Sequence, residues 1–410
     1  MSFSPALTTP GSASTLTWSA TNASACTASG AWSGNEPTSG SVVVSRSAIG
    51  DYTYSLSCTG NGGTTSGSTS LLVTHMRASS YENKNDMGSA PTTLPAPGGN
   101  AFALADFFQD GTQSLVLHTL EYNVADPSTY GNYGHIHFYK KNTLNAWVDQ
   151  TSVLLANAVG CVHPRKAVVA DFNRDGKPDV YFACHGVDAS PFPGERPHVL
   201  MSQPDGSYAN LTLPIACYCH SASAADINAD GFADVLVTDT TVANKPFFLV
   251  NDGHGGFTAD YDRLPKALSN KQIYTAELID FAGSGRYDVF LGGNEPGTTG
   301  YASSEFAPQI FPNDGSGRFT STTPVNLLIG PSFGLALDIV FTNASIYLLK
   351  VNSAYTSSQI QKIAYPALTQ SVIYSHSGAY SNGSSWLDWI LRYNGAITSW
   401  NASYAVSVAQ

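Results

Sequence analysis

The sequence predicts an all-β chain of two domains: a small β-sandwich over residues 1–75, a linker over 76–100, and a six- or seven-bladed β-propeller over 101–410. Three observations predict it. Asp171-Phe-Asn173-Arg-Asp175-Gly176-Lys-Pro-Asp179 and Asp226-Ile-Asn228-Ala-Asp230-Gly231-Phe-Ala-Asp234 share the pattern D-x-N-x-D-G-x-x-D. The pattern recurs about every 55 residues, the spacing of a propeller blade. An Asn/Asp-Gly turn trails several copies: Pro204-Asp205-Gly206, Asn251-Asp252-Gly253 and Asn313-Asp314-Gly315. Between apolar runs such a turn marks a tight hairpin.

Each full loop places oxygen side chains at positions one, three, five and nine, with Gly at six for the sharp turn. That alternation wraps a hard cation such as Ca²⁺. The expected ligands are Asp171, Asn173, Asp175 and Asp179 in one loop and Asp226, Asn228, Asp230 and Asp234 in the other. Ala-Val-Val-Ala precedes the first loop and Val-Tyr-Phe-Ala follows it, so the loop belongs at the tip of a β-hairpin and not between helices. Asp106–Ser114 and Asp280–Asp288 are poorer copies with fewer charged oxygens. Leu337–Ser345 and Ser381–Asp388 are fainter still, which brings the count to six units. One unit reads strand, acidic turn, strand, longer loop, strand, Asp-Gly turn, strand.

These loops resemble FG-GAP/VCBS repeats, the blades of integrin-α-type propellers in many secreted bacterial proteins. The resemblance covers about residues 100–410 and is most specific at Asp171–Asp179 and Asp226–Asp234. It implies a propeller with calcium loops on one face. It implies no single activity, because the family includes adhesins, lectin-like modules and polysaccharide lyases.

Residues 1–75 are rich in Ser, Thr, Gly and Ala, with strand-like runs at Ser14–Trp18, Ser41–Val44, Tyr52–Leu56 and Ser70–Thr74. Cys26 and Cys58 lie on or beside two such runs, and Trp18 and Trp32 supply core. A Cys pair across two sheets with aromatic packing suggests a small Ig-like β-sandwich. The stretch Leu16–Gly30 resembles Ig-like modules of secreted bacterial proteins. The Pro and Gly residues of Pro91–Gly99 argue against regular structure in the linker.

Composition sets the compartment. The net charge is −11 and Lys plus Arg total only 19, with no basic run, so nucleic acid is not the expected partner. No apolar run approaches the roughly 18 residues that span a bilayer. Six cysteines, an even number, and calcium loops both suit an oxidising extracellular space. Cys26–Cys58 is the expected pair; Cys161, Cys184, Cys217 and Cys219 allow three pairings. Ser-Phe-Ser-Pro after Met1 has neither the basic region nor the apolar core of a signal peptide, so a secreted protein whose leader lies outside this sequence is expected.

Chemistry is expected at the pole opposite the acidic turns, where inner strands and their loops meet. That logic gathers His118, His163, Arg165, His185, Asp188, His220, Asp239, Tyr274 and Glu295 on one surface. As a ligand-binding face it would comprise His118, His163, Arg165, His185, Asp188, His220, Asp239 and Glu295. As a catalytic set, His163, Arg165, His185, His220 and Tyr274 offer a base, an acid and a cation for β-elimination on an acidic sugar. Three His on successive blades also suit Zn²⁺ or Cu²⁺. His135-Ile-His137 is a weaker candidate metal pair. The leading expectation is a secreted or surface-exposed calcium-binding adhesion or recognition protein for carbohydrate or another cell-surface ligand. A polysaccharide lyase or hydrolase is the second, and a structural surface-assembly protein the third.

Overall fold

The computed structural model describes all residues except 5, 9–10, 12, 49, 74–94, 96–98, 242–244, 282–283, 329, 342–344, 366, 380–388, 394–395, 402–403 and 409–410. Most of the expected linker, the Asn343 turn and the Ser381–Asp388 copy lie outside the described residues. The chain is nearly all β; helical turns among the described residues are the short segments Pro127–Thr129, Thr151–Leu154 and Lys266–Leu268. Two compact units are present: Met1–Arg77 with Asp280–Arg286 and Thr342–Ser345, and the remainder.

The N-terminal residues form two sheets. Ser2–Ser4, Ala13–Ser19 and Ser39–Ser45 make one; Leu7–Thr8, Gly63–Val73, Gly50–Gly60, Ala25–Gly30 and Gly34–Glu36 make the other. Their strands alternate buried and exposed positions, as one-sided packing requires. Phe3, Leu16, Trp18, Tyr54, Leu56 and Leu71 fill the core, and Trp18 meets Trp32 edge-on at 5.2 Å. The Cys26–Cys58 pair forms, but not across two sheets: the residues sit opposite each other on neighbouring strands of the five-stranded sheet.

Six further sheets follow among the described residues. The first strand of each is Gly99–Ala105, Pro164–Ala170, Cys219–Ala225, Ile273–Ile279, Gly334–Phe341 or Trp389–Tyr393. The first sheet therefore begins at Gly99, inside the segment expected as linker. The first five sheets have four antiparallel strands each, in sequence order; the last has three. Second strands such as Asp179–Cys184 and Asp234–Asp239 are buried throughout, because both faces are covered. Period-two alternation divides them. Val180, Phe182 and Cys184 pack on Ala103, Val116 and Phe138 of the sheet before, whereas Tyr181 and Ala183 pack on Ala222, Val235 and Val237 of the sheet after. A fully buried Phe or Leu contributes roughly 1.5–3 kcal/mol, so these interfaces carry the fold. The ring closes where Leu391 and Trp389 of the last sheet pack on Leu104, Leu117 and Phe102 of the first, with Phe102 and Trp389 edge-on at 5.3 Å.

Acidic turns cap the hairpins as expected. Ala170 pairs with Asp179 and Ala225 with Asp234 at one end; Pro164 pairs with Cys184 and Cys219 with Asp239 at the other. Gly176 and Gly231 take φ of 83° and 91°, a left-handed conformation that an L side chain resists. The pole opposite the turns is thus built from the starts of inner strands and the loops after second strands.

Candidate functional site

That pole holds a cavity of about 620 Å³. Of the expected residues, Arg165, His185, Asp188, His220 and Tyr274 line it. Arg165 and His220 open the inner strands of the second and third sheets, Tyr274 belongs to that of the fourth, and His185 and Asp188 follow the second strand of the second sheet.

Arg165 is the hub. Its Nη2 donates to His220 Nε2 at 2.7 Å, and its Nη1 lies 3.4 Å from His163 Nε2. A guanidinium only donates, so both Nε2 atoms accept and both rings carry the proton on Nδ1. His220 Nδ1 donates to the Tyr274 carbonyl at 2.8 Å, and His163 Nδ1 to Tyr122 Oη at 2.9 Å. His185 differs. Its Nδ1 faces the Gly186 carbonyl at 3.4 Å, and its Nε2 has no hydrogen-bond partner among the described residues. The His185 ring packs on Tyr218, with centroids 3.4 Å apart, and edge-on to His163 and His220 at 4.9 and 5.7 Å. Tyr218 in turn donates its hydroxyl to Asp188.

Electrostatics follow from this packing. Burial, then the Arg165 charge, holds His163, His185 and His220 well below the ordinary imidazole range, so all three are neutral. Burial pushes the Tyr274 phenol up to about 12 and raises that of Tyr218, the latter aided by its hydrogen bond to Asp188. Lys166 pairs with Glu277 at 3.1 Å, and Glu277 also accepts from Ser223. Arg165 has no carboxylate within ion-pair distance among the described residues.

Four expected ligand residues do not reach the cavity. His118 is fully buried; it accepts from the Cys161 amide and donates to the Thr119 carbonyl, a satisfied core histidine. Glu295 is fully buried as the partner of Lys350 and accepts from the Phe333 and Gly334 amides. Asp239 turns to the amide and hydroxyl of Thr241, so Thr240 and Thr241 line the wall in its place. His163 lies behind Arg165, 5% exposed, and positions it. His135 and His137 each bond a carboxylate through Nδ1, Glu121 at 2.7 Å and Asp149 at 2.9 Å. The remaining cysteines pair as Cys161–Cys184 and Cys217–Cys219; the second pair brackets Tyr218.

Sequence reasoning missed several lining residues: Phe102, Asn100, Gln272, Tyr355 and Trp389. Asn100 is held by its amide bond to the Pro164 carbonyl. Phe192 and Tyr355 are exposed at the rim, 47% and 43%. Phe102 and Trp389 became visible only once the ring closed.

At the opposite pole, Asp171 Oδ1 and Asn173 Oδ1 both accept from the Asp175 amide at 3.1 Å, so their oxygens converge. Asp226 Oδ1 and Asn228 Oδ1 repeat this on the Asp230 amide at 3.2 and 3.1 Å. The donors are hard oxygens with lone pairs to spare, which fits a hard cation. The ninth-position residues also serve the hairpin. Asp179 is buried and accepts from the Phe172 and Ser202 amides at 2.7 and 2.6 Å; Asp234 is buried and accepts from the Asn251 amide at 2.9 Å. Both tie the turn to the third strand. Among the described residues no three His, Cys, Asp or Glu side chains converge as a metal-ligating group, so Asn173 and Asn228 are needed to complete either set.

No family model matches the chain, and no curated protein matches it by sequence. Among solved structures it is similar to the exotype rhamnogalacturonan lyase YesX, at 10% identity over 98% of this chain and 89% of that one, TM-score 0.38. A rhamnogalacturonan lyase of Bacillus licheniformis is similar at 11% identity, 98% and 88% coverage and TM-score 0.38. PorZ, a surface component of the type-IX secretion system of Porphyromonas gingivalis, is similar at 12% identity, 84% and 43% coverage and TM-score 0.42.

Proposed function

We propose that this is an extracellular recognition protein that takes an acidic segment of a carbohydrate chain into the cavity around Arg165. The observation that carries the reading is a half-buried guanidinium with no carboxylate partner among the described residues, held by two neutral imidazoles. A carboxylate supplied by a ligand matches the fork of Arg165. The cavity volume lies within the roughly 300–1,000 Å³ range of ligand pockets. Rings of Tyr218, Trp389 and Tyr355 offer faces for stacking on sugars, and Asn100, Gln272, Thr240 and Thr241 offer polar contacts. Ca²⁺ at Asp171, Asn173 and Asp175, and at Asp226, Asn228 and Asp230, serves in this reading to stiffen the opposite pole.

The test is a glycan array of neutral and uronate-containing chains, run with the wild type and Arg165→Met. Uronate chains are expected to bind and the variant to lose them. Binding confined to neutral glycans, or unchanged in Arg165→Met, overturns the reading.

A further inference from the structure

Of the three histidines around Arg165, only one has a nitrogen to spare. His163 and His220 use both ring nitrogens, on Tyr122, Tyr274 and Arg165. His185 spends Nδ1 on the Gly186 carbonyl, leaving the Nε2 lone pair without a partner in a side chain that is 2% exposed and lines the cavity. A neutral ring nitrogen whose lone pair no described group occupies is a spare acceptor on the cavity wall. Tyr218, pinned to Asp188 and bracketed by Cys217 and Cys219, packs against the imidazole and fixes its plane.

We propose that His185 Nε2 is the catalytic base of a β-elimination that cleaves uronate-containing polysaccharides of gluco or manno configuration. The inference rests on the binding reading above, since Arg165 must hold the uronate carboxylate. With that carboxylate on Arg165, negative charge that develops as the proton leaves C-5 is stabilised where it forms. Nε2 takes the C-5 proton, the C-4 to C-5 double bond forms, and the bond from C-4 to the glycosidic oxygen breaks. The proton on Nε2 then passes to that oxygen. One proton moves from carbon to the leaving group, the base is regenerated, and no oxidant, reductant or water is consumed.

A single nitrogen that both takes and returns the proton sets a stereochemical condition. The C-5 hydrogen and the C-4 oxygen must lie on the same face of the sugar ring. D-Glucuronate and D-mannuronate meet it; D-galacturonate and L-guluronate carry the two on opposite faces. A scheme in which His185 Nε2 alone carries the proton therefore selects the substrate class.

The test incubates the intact protein with hyaluronan, polymannuronate, polygalacturonate and polyguluronate. Binding is measured by calorimetry, and the unsaturated product by its ultraviolet absorbance. Product is expected from hyaluronan or polymannuronate alone. His185→Gln is expected to keep binding and to lose about 10²–10⁴-fold in turnover. In the wild type, diethylpyrocarbonate is expected to abolish turnover, with peptide mapping placing the label on His185 and bound polymer protecting it; this arm needs no variant to fold. Binding without product from any polymer overturns the elimination and leaves the recognition reading standing. Failure of all four polymers to bind overturns both. Product from polygalacturonate or polyguluronate, or unimpaired turnover in His185→Gln, removes the single-nitrogen scheme.

Discussion

The side-chain amide of Asn251 reaches back from the third propeller sheet to the carbonyl of Phe172 in the second, at 2.7 Å. It also bonds the Ala233 carbonyl at 3.1 Å, while the Asn251 backbone amide donates to Asp234 at 2.9 Å. Asn313 repeats the arrangement one sheet on, with Ile227 at 3.0 Å, Tyr287 at 3.1 Å and Asp288 at 2.8 Å. One residue thus pins its own hairpin and the neighbouring sheet. Asn251→Ala and Asn313→Ala each leave two carbonyls unpaired, so each is expected to cost about 1–3 kcal/mol. Guanidinium unfolding checks this, and the double variant should be close to additive because the sites serve different interfaces. Losses below about 0.5 kcal/mol for both would show that apolar packing alone aligns the sheets.

The same residues show what could be read in advance. The acidic turns were legible because turn chemistry is local: the spacing of Asp171, Asn173, Asp175 and Gly176 is the whole signal. The meeting of Arg165, His185 and His220 was legible because once the turns fix one pole, strand ends must share the other. Asn251 and Asn313 read only as turn residues, since their partners belong to other sheets. Asp179 and Asp234 read as ligands, and pattern does not reveal that each carboxylate also holds a third strand. The same blindness placed Glu295 and His118 on a surface. Polar residues at strand ends look identical in sequence whether they face a ligand or a buried partner.

Glu295 and Lys350 form an ion pair with side chains 0% and 1% exposed. Burial lowers the Lys350 pKa and the Glu295 charge opposes that shift. Removing one partner strands a buried charge, so Lys350→Met is expected to destabilise by about 3–5 kcal/mol. The double variant Lys350→Met with Glu295→Gln should recover part of the loss, because the stranded charge is gone. A double variant less stable than Lys350→Met alone, by chemical unfolding, would refute that account.

His118 gives the fold a definite acid sensitivity. Burial pushes its pKa down to about 3, against the partial help of the Thr119 carbonyl bond. A depressed histidine means the native state binds fewer protons than the unfolded chain between about pH 3 and 6.5. Stability from neutral His118 is therefore complete above pH 6.5 and drains away as pH falls, at about 1.4 kcal/mol per unit for one proton. His163, His185 and His220 shift in the same direction and steepen the slope. Urea midpoints measured from about pH 7 to pH 5 should fall for the wild type and fall less steeply for His118→Asn, even though the variant starts lower. Parallel slopes would show that His118 is not the titrating group.

Calcium can be tested through the turns themselves. If Asp171, Asn173 and Asp175 hold an ion in the native state alone, saturation at a hundredfold excess over Kd adds about 2.7 kcal/mol of stability. The second loop would add its own increment. Chelation with EDTA should then lower the melting temperature, and added Ca²⁺ should restore it. Asp175 and Asp230 are the replacements of choice. The Asp175 Oδ1 atom accepts from the Lys177 amide at 2.9 Å and Asp230 Oδ1 from the Phe232 amide at 2.9 Å, and Asn can keep both bonds while removing the charge. Asp175→Asn and Asp230→Asn should therefore keep these turn bonds, lose at most the Oδ2 bonds to Ser202 Oγ and Asn228 Nδ2, and shrink the response to Ca²⁺. A melting curve indifferent to EDTA, together with no heat of Ca²⁺ binding in calorimetry, would reduce these loops to hydrogen-bonded turns whose carboxylates serve amides such as those of Asp175, Gly176, Lys177, Asp230, Gly231 and Phe232.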